Sequence, residues 1–183
     1  MTQILFTIGH SYRKWNEFIS ILEHNNVDLL VDVRRYPWSR VCPQFNSEQM
    51  ATKLHEENVS YIHIEKLGGR RNTLNCRYDG YNNSGWKNKS FRAYADYMTT
   101  ISFREGINEL LSHMQKYSNL SIMCAEAIPW RCHRRMIADY LTMVRGINVF
   151  DILYSKQQPA YHELTSFAHL TGDKIITYPE KMQ

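Results

Sequence analysis

The stretch Ser121–Leu153, SIMCAEAIPWRCHRRMIADYLTMVRGINVFDIL, decides the fold. It begins with a short, mostly apolar run, Ser121–Glu126, that predicts a buried strand, and it ends with a second such run, Asn148–Leu153. Between them, Cys132–Arg145 carries apolar residues at helical spacing, and Gly146 follows as a C-cap. Two buried strands joined through a helix predict a crossover unit with parallel strands.

The same alternation of strand and helix occurs in the rest of the chain. Three further segments are predicted as strands: Ile4–Gly9, Leu29–Arg34 and Tyr61–Glu65. Three more are predicted as helices: Lys14–His24, Ser47–Glu57 with Ser47 as N-cap, and a helix that begins with the capping box Ser102–Glu105. Strands that alternate with helices form a sheet covered by those helices. We therefore predict a single α/β domain, with a mostly parallel sheet of about five strands and helices on both faces.

Length and composition are those of one globular domain. The chain has 183 residues, of which 43% are hydrophobic and 22% are charged, as is ordinary for a folded protein. No apolar run approaches the ~18 residues that a membrane helix requires, and the N-terminal residues show no secretion signal. The four cysteines are too few for a disulfide scaffold. We therefore predict a cytoplasmic protein with reduced thiols and no membrane partner.

A long irregular stretch, Gly68–Ser90, interrupts the pattern with five basic residues, three aromatic residues and a single acid. Interleaved bases and aromatics can contact phosphates and stack on nucleobases. A solvated surface loop with anchoring aromatics fits the same composition, so both interpretations stay open. In the tail that follows Ser155, Pro159–Leu170 is predicted as a short helix.

Ionisable residues lie at the carboxyl ends of four of the five predicted strands. They are His10, Asp32, Arg34, His63, Glu65, Cys124 and Glu126. In open α/β sheets, ligands bind at the carboxyl ends of the strands. One such residue alone is typical of a cap or a salt bridge, but all of them at one edge favour a site. The predicted catalytic candidates are Glu126, Asp32, His10, His133, Cys124 and Cys132.

Basic residues crowd the start of the helix that follows Glu126. Cations are unfavourable at this positive end of the helix dipole, so we predict an anion held there by backbone N–H groups and guanidinium groups. An internal salt-bridge cluster with Glu126 or Asp32 is the alternative. A second loop, after the second strand, brings arginine, aromatic and amide groups to the same edge. The predicted substrate- or phosphate-binding residues are Ser11, Arg34, Ser39, Arg40, Asn46, Trp86, Arg131 and Arg134.

The cysteines allow two further interpretations. Cys132, at a helix start, is either a thiolate nucleophile or a small buried residue. Six residues separate Cys124 from Arg131, so the five-residue loop of cysteine phosphatases is not present. Zinc ligation by Cys124, Cys132, His133 and His10 is conceivable, but no paired Cys-x2-Cys or His-x3-His spacing supports it. We therefore predict no metal and no cofactor.

Several motifs in fixed order resemble the family called domain of unknown function 488, from about residue 5 to residue 155. They are Thr7–Ser11, Asp32–Arg34 with Pro37 and Ser39–Arg40, Pro43–Asn46, Leu67–Gly69, Gly85–Trp86 before Phe91–Met98, Cys124–Glu126, and Trp130–Arg134. The resemblance implies an α/β fold in which the Cys-Ala-Glu and Cys-His-Arg elements are the signature. It implies no particular reaction.

The leading functional hypothesis is an enzyme, a hydrolase or transferase, that acts on a nucleotide or nucleic-acid component. Glu126 would be the base or nucleophile with Asp32 as partner carboxylate, which suits cleavage or transfer of a glycosidic bond. One alternative is a non-catalytic nucleic-acid-binding module, and another is a thiol-dependent enzyme that uses Cys132 or Cys124. The predicted partner is an anionic small molecule or a nucleic acid. The sequence specifies no oligomeric state.

Overall fold

The computed structural model describes residues 4–72, 81–154 and 157–180. The strands of its main sheet are β1 (Ile4–Gly9), β2 (Leu29–Asp32), β3 (Ser60–His63), β4 (Leu120–Cys124), β5 (Asn148–Ile152) and β6 (Ala160–Tyr161). The α-helices of the described residues are α1 (Trp15–His24), α2 (Ser47–Glu56), α3 (Lys89–Tyr97), α4 (Ile101–Met114) and α5 (Arg134–Arg145). A small second sheet pairs β7 (His169–Leu170) with β8 (Ile176–Thr177).

The predicted fold class is confirmed as a single α/β domain with a mostly parallel sheet. The strand order is β3-β2-β4-β1-β5-β6, and only β6, at the edge, is antiparallel to its neighbour. The central strands β1 and β4 lie side by side. From β1 the chain continues to β2 on one side of this pair, whereas from β4 it continues to β5 on the other side. The point between them is therefore the topological switch point of the sheet.

Helices cover both faces of the sheet, as predicted. On one face, α1 and α2 bury Phe18, Leu22, Met50 and Leu54 against alternate strand residues such as Leu30. On the other face, α3, α4 and α5 pack against the intervening strand residues, and their buried side chains include Tyr94, Phe103, Leu110 and Leu141. The strands β1, β2 and β4 are buried over most of their length, which explains why they are mostly apolar runs in the sequence.

Some predicted boundaries differ from the structure for identifiable reasons. The strand predicted to end at Arg34 ends at Asp32, because the Asp32 carboxylate accepts a hydrogen bond from the Arg34 backbone N–H at 2.9 Å and turns the chain. The capping box predicted at Ser102–Glu105 is wrong. The hydroxyl of Thr100 caps α4 instead, accepting from the Phe103 N–H at 3.2 Å.

The predicted helix Pro159–Leu170 is also wrong. Its first residues form β6, which pairs with β5, and the ring of Tyr161 packs against Phe150 with centroids 5.4 Å apart. His162, which follows β6, donates its backbone N–H to the Val149 carbonyl oxygen at 2.8 Å. Hydrogen bonds to an open sheet edge therefore outweigh the helical spacing of this segment.

The irregular stretch predicted at Gly68–Ser90 ends in a helix. The side chain of Asn88 caps α3 by accepting from the Ser90 N–H at 2.8 Å, so the helix begins at Lys89. Residues 73–80 lie outside the described residues, and the prediction for the basic and aromatic residues there stays a prediction. Among the residues that the structure describes, no helix is long and apolar enough to cross a membrane.

A buried polar network joins the tail to the sheet. His162 contacts two carboxylates, with Nε2 at 3.1 Å from Asp139 Oδ1 and Nδ1 at 3.2 Å from Asp151 Oδ2. The hydroxyl of Tyr178 donates to Asp139 at 3.0 Å. Burial lowers the pKa of His162, but the hydrogen bonds and charges of Asp139 and Asp151 outweigh that effect and raise it to about 9.

We expect His162 to stabilise the fold in a pH-dependent way. Its pKa rises from 6.5 in the unfolded chain to about 9 in the folded chain, so its contribution is fully present below pH 6.5 and is lost as the pH rises through 9. Urea unfolding at several pH values should show a free energy of unfolding that falls by roughly 2–3 kcal/mol over this range, and this fall should be absent in His162→Gln. The exposed His24 gives a matched control, since His24→Gln should keep the wild-type profile. Parallel profiles for wild type and His162→Gln would contradict the assignment.

Candidate active site

A cleft with a volume of about 410 Å³ lies at the switch point, over the carboxyl ends of β1 and β4. The end of β1 lies very close to the chain that follows β4. A Cβ atom at Gly9 would overlap the Glu126 carbonyl group, so only glycine fits there. Loops after β1, β2, β3 and β4 and the first turns of α3 line the cleft. The lining residues are His10, Arg34, Arg35, Tyr36, Trp38, Ser39, Gly69, Arg70, Ser90, Phe91, Tyr94, Cys124, Ala125, Glu126, Arg131, Cys132 and His133.

Two cysteines and a histidine form the floor of the cleft. The Cys132 Sγ lies 3.5 Å from His133 Nδ1, and the Cys124 Sγ lies 4.0 Å from the same nitrogen. His133 Nε2 lies 2.8 Å from the Val33 carbonyl oxygen, which can only accept, so Nε2 carries the proton. Nδ1 of His133 therefore faces the two sulfur atoms.

The two thiols differ in acidity. A hydrogen bond to Cys132, together with burial, raises the pKa of Cys124 well above its usual value. Burial also raises the pKa of Cys132, but the hydrogen bond from Cys124 and the charges of His133 and Arg134 outweigh it and lower the pKa of Cys132 well below its usual value. Cys132 is therefore the more acidic of the two thiols.

Arg134 supports this floor from below. Its side chain is 1% exposed, and its Nε donates to Cys132 Sγ at 3.5 Å. The other guanidinium nitrogens donate to Thr7 Oγ1 at 3.3 Å and to the Glu126 carbonyl oxygen. Within the described part of the chain Arg134 forms no ion pair with a carboxylate, so the salt-bridge alternative does not apply to this residue.

A buried ion pair stands beside the cysteine cluster. Arg34 Nε donates to both Asp32 oxygens, at 2.9 and 3.0 Å, and the Tyr61 hydroxyl donates to the same carboxylate at 2.8 Å. Asp32 is completely buried, and its ion-pair partner is Arg34 and not a basic residue at the start of α5. His10 stacks on Phe45 and accepts from Arg34 Nη1 at 3.2 Å, and burial lowers the pKa of His10 to about 4.

The rim of the cleft is cationic and aromatic. Arg70 and Arg131 are exposed, and neither forms an ion pair among the described residues, whereas Arg35 contacts Glu65 at 3.4 Å. The side chains of Tyr36 and Trp38 are each 63% exposed. Large aromatic surfaces left in solvent beside unpaired guanidinium groups are typical of a ligand-binding surface.

The structure brings together eight of the predicted site residues on the cleft wall: His10, Arg34, Ser39, Cys124, Glu126, Arg131, Cys132 and His133. Asp32 and Arg134 lie directly beneath it and hold residues that line it. Four others are placed elsewhere, namely Ser11, Arg40, Asn46 and Trp86.

These four residues have structural contacts. Asn46 Oδ1 accepts from the Ser39 backbone N–H at 2.6 Å and shapes the loop after β2. The Arg40 guanidinium lies over Trp38, 5.8 Å from its ring centroid. The Ser11 carbonyl accepts from His10 Nδ1. Trp86 is buried against an aromatic cluster that includes Phe91 and Tyr178, so it packs the core instead of the cleft.

Sequence reasoning missed part of the cleft wall. Gly69 and Tyr94 carry no charge, so the pattern of charged residues did not indicate them. In the sequence they stand out only as members of the Leu67–Gly69 and Phe91–Met98 motifs. A Cβ at Gly69 would lie 2.8 Å from His133 Nδ1, so glycine gives this ring its space. The Tyr94 hydroxyl donates to the Leu67 carbonyl at 2.7 Å, which anchors the chain before Gly69.

Comparison with known families agrees with these motifs. The model of the domain of unknown function DUF488 matches residues 14–141. The chain belongs to the DUF488 family. Among curated proteins and among solved structures, no significant match was found.

The part of this DUF488 protein that the family model matches includes most of the reactive residues of the cleft. Residues 14–141 include Asp32, Cys124, Glu126, Cys132 and the start of α5, and they leave out β1 and the tail. The DUF488 description states no reaction.

Proposed function

We propose that this DUF488 protein is a hydrolase of a nucleotide or nucleic-acid component, with Glu126 as the general base. One observation carries the proposal: a single cleft combines an exposed carboxylate, a largely buried cysteine–histidine cluster, exposed aromatic rings and two exposed arginines that form no ion pair among the described residues. General bases, reactive thiols or imidazoles and anion-binding arginines are the parts of a hydrolytic site.

The residues of the rim suit a ligand that is both anionic and aromatic. Arg70 and Arg131 supply forked donors that suit phosphate oxygens. Tyr36 and Trp38 present ring surface on which a nucleobase can stack. Glu126 is the only acidic residue on the cleft wall, so the described wall is positively charged overall. A ligand that carries both a phosphate and a base uses both features of the rim.

The surroundings of Glu126 support a role for its carboxylate in proton transfer. Its side chain is exposed and accepts one long hydrogen bond, 3.5 Å from the Ile128 backbone nitrogen. It is therefore available to take a proton from a water molecule in the cleft. Asp32 is fully buried and bonded to Arg34 and Tyr61, so in this proposal it positions Arg34. Hydrolysis of a glycosidic bond stays a prediction, and it would rely on Glu126, the single exposed carboxylate among the described residues that line the cleft.

A thiol-dependent enzyme is the second candidate. It draws support from the position of Cys132 Sγ, which lies 3.5 Å from both His133 Nδ1 and Arg134 Nε. In that reaction the Cys132 thiolate would attack the substrate, and His133 would move the proton. Full turnover in Cys132→Ser and in Cys124→Ser would exclude this candidate, and Cys42→Ser is the matched control.

Ligand binding tests the proposal directly. Thermal unfolding with nucleosides, nucleotides and short oligonucleotides should show a raised Tm for phosphate-bearing compounds. Arg131→Ala should weaken the Kd of the best compound about 10- to 100-fold, because one charge-assisted contact contributes about 1.5–3 kcal/mol. Arg104 is an exposed arginine on α4 that does not line the cleft, so Arg104→Ala is the matched control. If no compound raises the Tm, or if both variants bind equally well, the proposed ligand class is wrong.

A further inference from the structure

The floor of the cleft has the composition and the spacing of a metal site. Cys124 Sγ, Cys132 Sγ and His133 Nδ1 all lie within 4.8 Å of one another, and the two sulfur-to-nitrogen distances are 4.0 and 3.5 Å. Around a tetrahedral zinc ion, with bonds of about 2.3 Å to sulfur and 2.0–2.1 Å to nitrogen, ligand atoms are about 3.5–3.8 Å apart. We propose that Cys124, Cys132 and His133 bind one Zn²⁺ ion.

The histidine is held in the orientation that a metal ligand needs. Its Nε2 donates to the Val33 carbonyl oxygen at 2.8 Å, which leaves the Nδ1 lone pair directed at the two sulfur atoms. Metal-binding histidines commonly donate their second ring nitrogen to a carbonyl or carboxylate in this way. Gly69 adds to the arrangement, because a side chain at that position would press on the Nδ1 edge of the ring.

Arg134 supplies an independent indication of negative charge on the sulfur atoms. Its guanidinium is 1% exposed, and its other acceptors, Thr7 Oγ1 and the Glu126 carbonyl, are uncharged. A buried cation without a countercharge is costly. A zinc-bound Cys132 thiolate, 3.5 Å from Arg134 Nε, accepts this donor and offsets its charge.

Three protein ligands leave one tetrahedral position for a further group. All three residues line the cleft, so this position faces the space where a substrate would lie. Open zinc sites of this kind are catalytic, and they lower the pKa of a bound water to about 7. His10, which the sequence also suggested as a ligand, is not part of the set, since its two ring nitrogens contact the Ser11 carbonyl and Arg34.

The role of the metal in catalysis rests on the proposed hydrolase function. A zinc-bound water gives one proton to Glu126, and its oxygen forms a bond to the electrophilic atom of the substrate. The bond from that atom to the leaving group breaks with its electron pair, and Glu126 returns the proton to the leaving group. The sum is the addition of one water across one bond, with no oxidation or reduction.

Metal content tests the site without any assay of activity. The tag-free full chain, purified without chelator, should contain about one zinc per chain by plasma mass spectrometry. Exchange with Co²⁺ should give the charge-transfer absorption of a cobalt–thiolate site. Cys124→Ser, Cys132→Ser and His133→Ala should each lose most of the metal. Cys42 is a buried free cysteine outside the cluster, so Cys42→Ser should retain it and is the matched control.

The outcomes separate the metal site from the proposed function. A wild-type chain that holds no zinc and shows no cobalt–thiolate absorption overturns the site, whatever the variants do. A chain without metal whose nucleotide turnover requires Glu126 overturns the site and leaves the hydrolase proposal standing. Zinc bound through these residues in a protein that acts on no nucleotide supports the site and removes the proposed function. Turnover in metal-free protein that is blocked by alkylation of Cys132 overturns the site in favour of the thiol-dependent enzyme.

Discussion

Replacing Asp32 by alanine is expected to lower the free energy of unfolding by about 3–5 kcal/mol, because it leaves a buried guanidinium without its countercharge. Asp32 is 0% exposed and Arg34 is 6% exposed, and the carboxylate also accepts from the Tyr61 hydroxyl. The substitution therefore removes the acceptor of a buried guanidinium and of a partly buried hydroxyl at once. Urea unfolding followed by circular dichroism measures the effect.

A matched control comes from an ion pair on the surface. Glu105 contacts Lys66 at 3.0 Å, with about half of each side chain exposed, so Glu105→Ala should change stability far less than Asp32→Ala. Similar losses for the two variants would show that the Asp32–Arg34 pair is solvated in solution. The Asp32 carboxylate would then become available as a partner for Glu126.

Replacing Glu126 by glutamine is expected to lower kcat about 10²- to 10⁴-fold for the nucleotide that binding experiments identify, because glutamine cannot accept the proton. The Kd and the Tm should stay close to the wild-type values, since the side chain is exposed and nearly isosteric with its replacement. Steady-state kinetics together with calorimetric titration separates the two quantities.

Glu109, an exposed acid on α4, is the matched control for this experiment. Glu109→Gln should leave kcat unchanged. Full activity of Glu126→Gln would remove this carboxylate from the mechanism. A wild-type chain that binds oligonucleotides with steep salt dependence but forms no product would instead be a non-catalytic nucleic-acid-binding module.

The sequence predicted the edge of the sheet that carries the site better than it predicted the role of each residue there. Alternating strands and helices place Asp32 and Glu126 at the same edge, and both are carboxylates next to arginines. The two carboxylates differ in exposure, and this difference depends on neighbours that are distant in sequence. Tyr61 and Arg34 enclose Asp32, whereas the chain after β4 leaves Glu126 in solvent. No local pattern contains that information.

The cysteine cluster shows a related limit of pattern reading. Spacing rules recognise ligands that one loop brings together, such as Cys-x2-Cys. Here a strand end supplies Cys124, and the residues before α5 supply Cys132 and His133, so the turn between them sets the geometry. The helix predicted in the C-terminal tail was wrong for a similar reason. Its β6 segment pairs with the open edge of β5, and no local pattern in the segment indicates this pairing.

The hydrogen bonds beneath the cleft continue into the tail. Arg134 donates to Thr7, Thr7 donates to Asp151 at 2.6 Å, and Asp151 contacts His162. Thr7, Asp151 and His162 lie outside residues 14–141, which the family model matches. Buried hydrogen bonds therefore connect the C-terminal segment to the reactive centre, and we expect a shortened or circularly permuted chain to need this segment in place to preserve that centre.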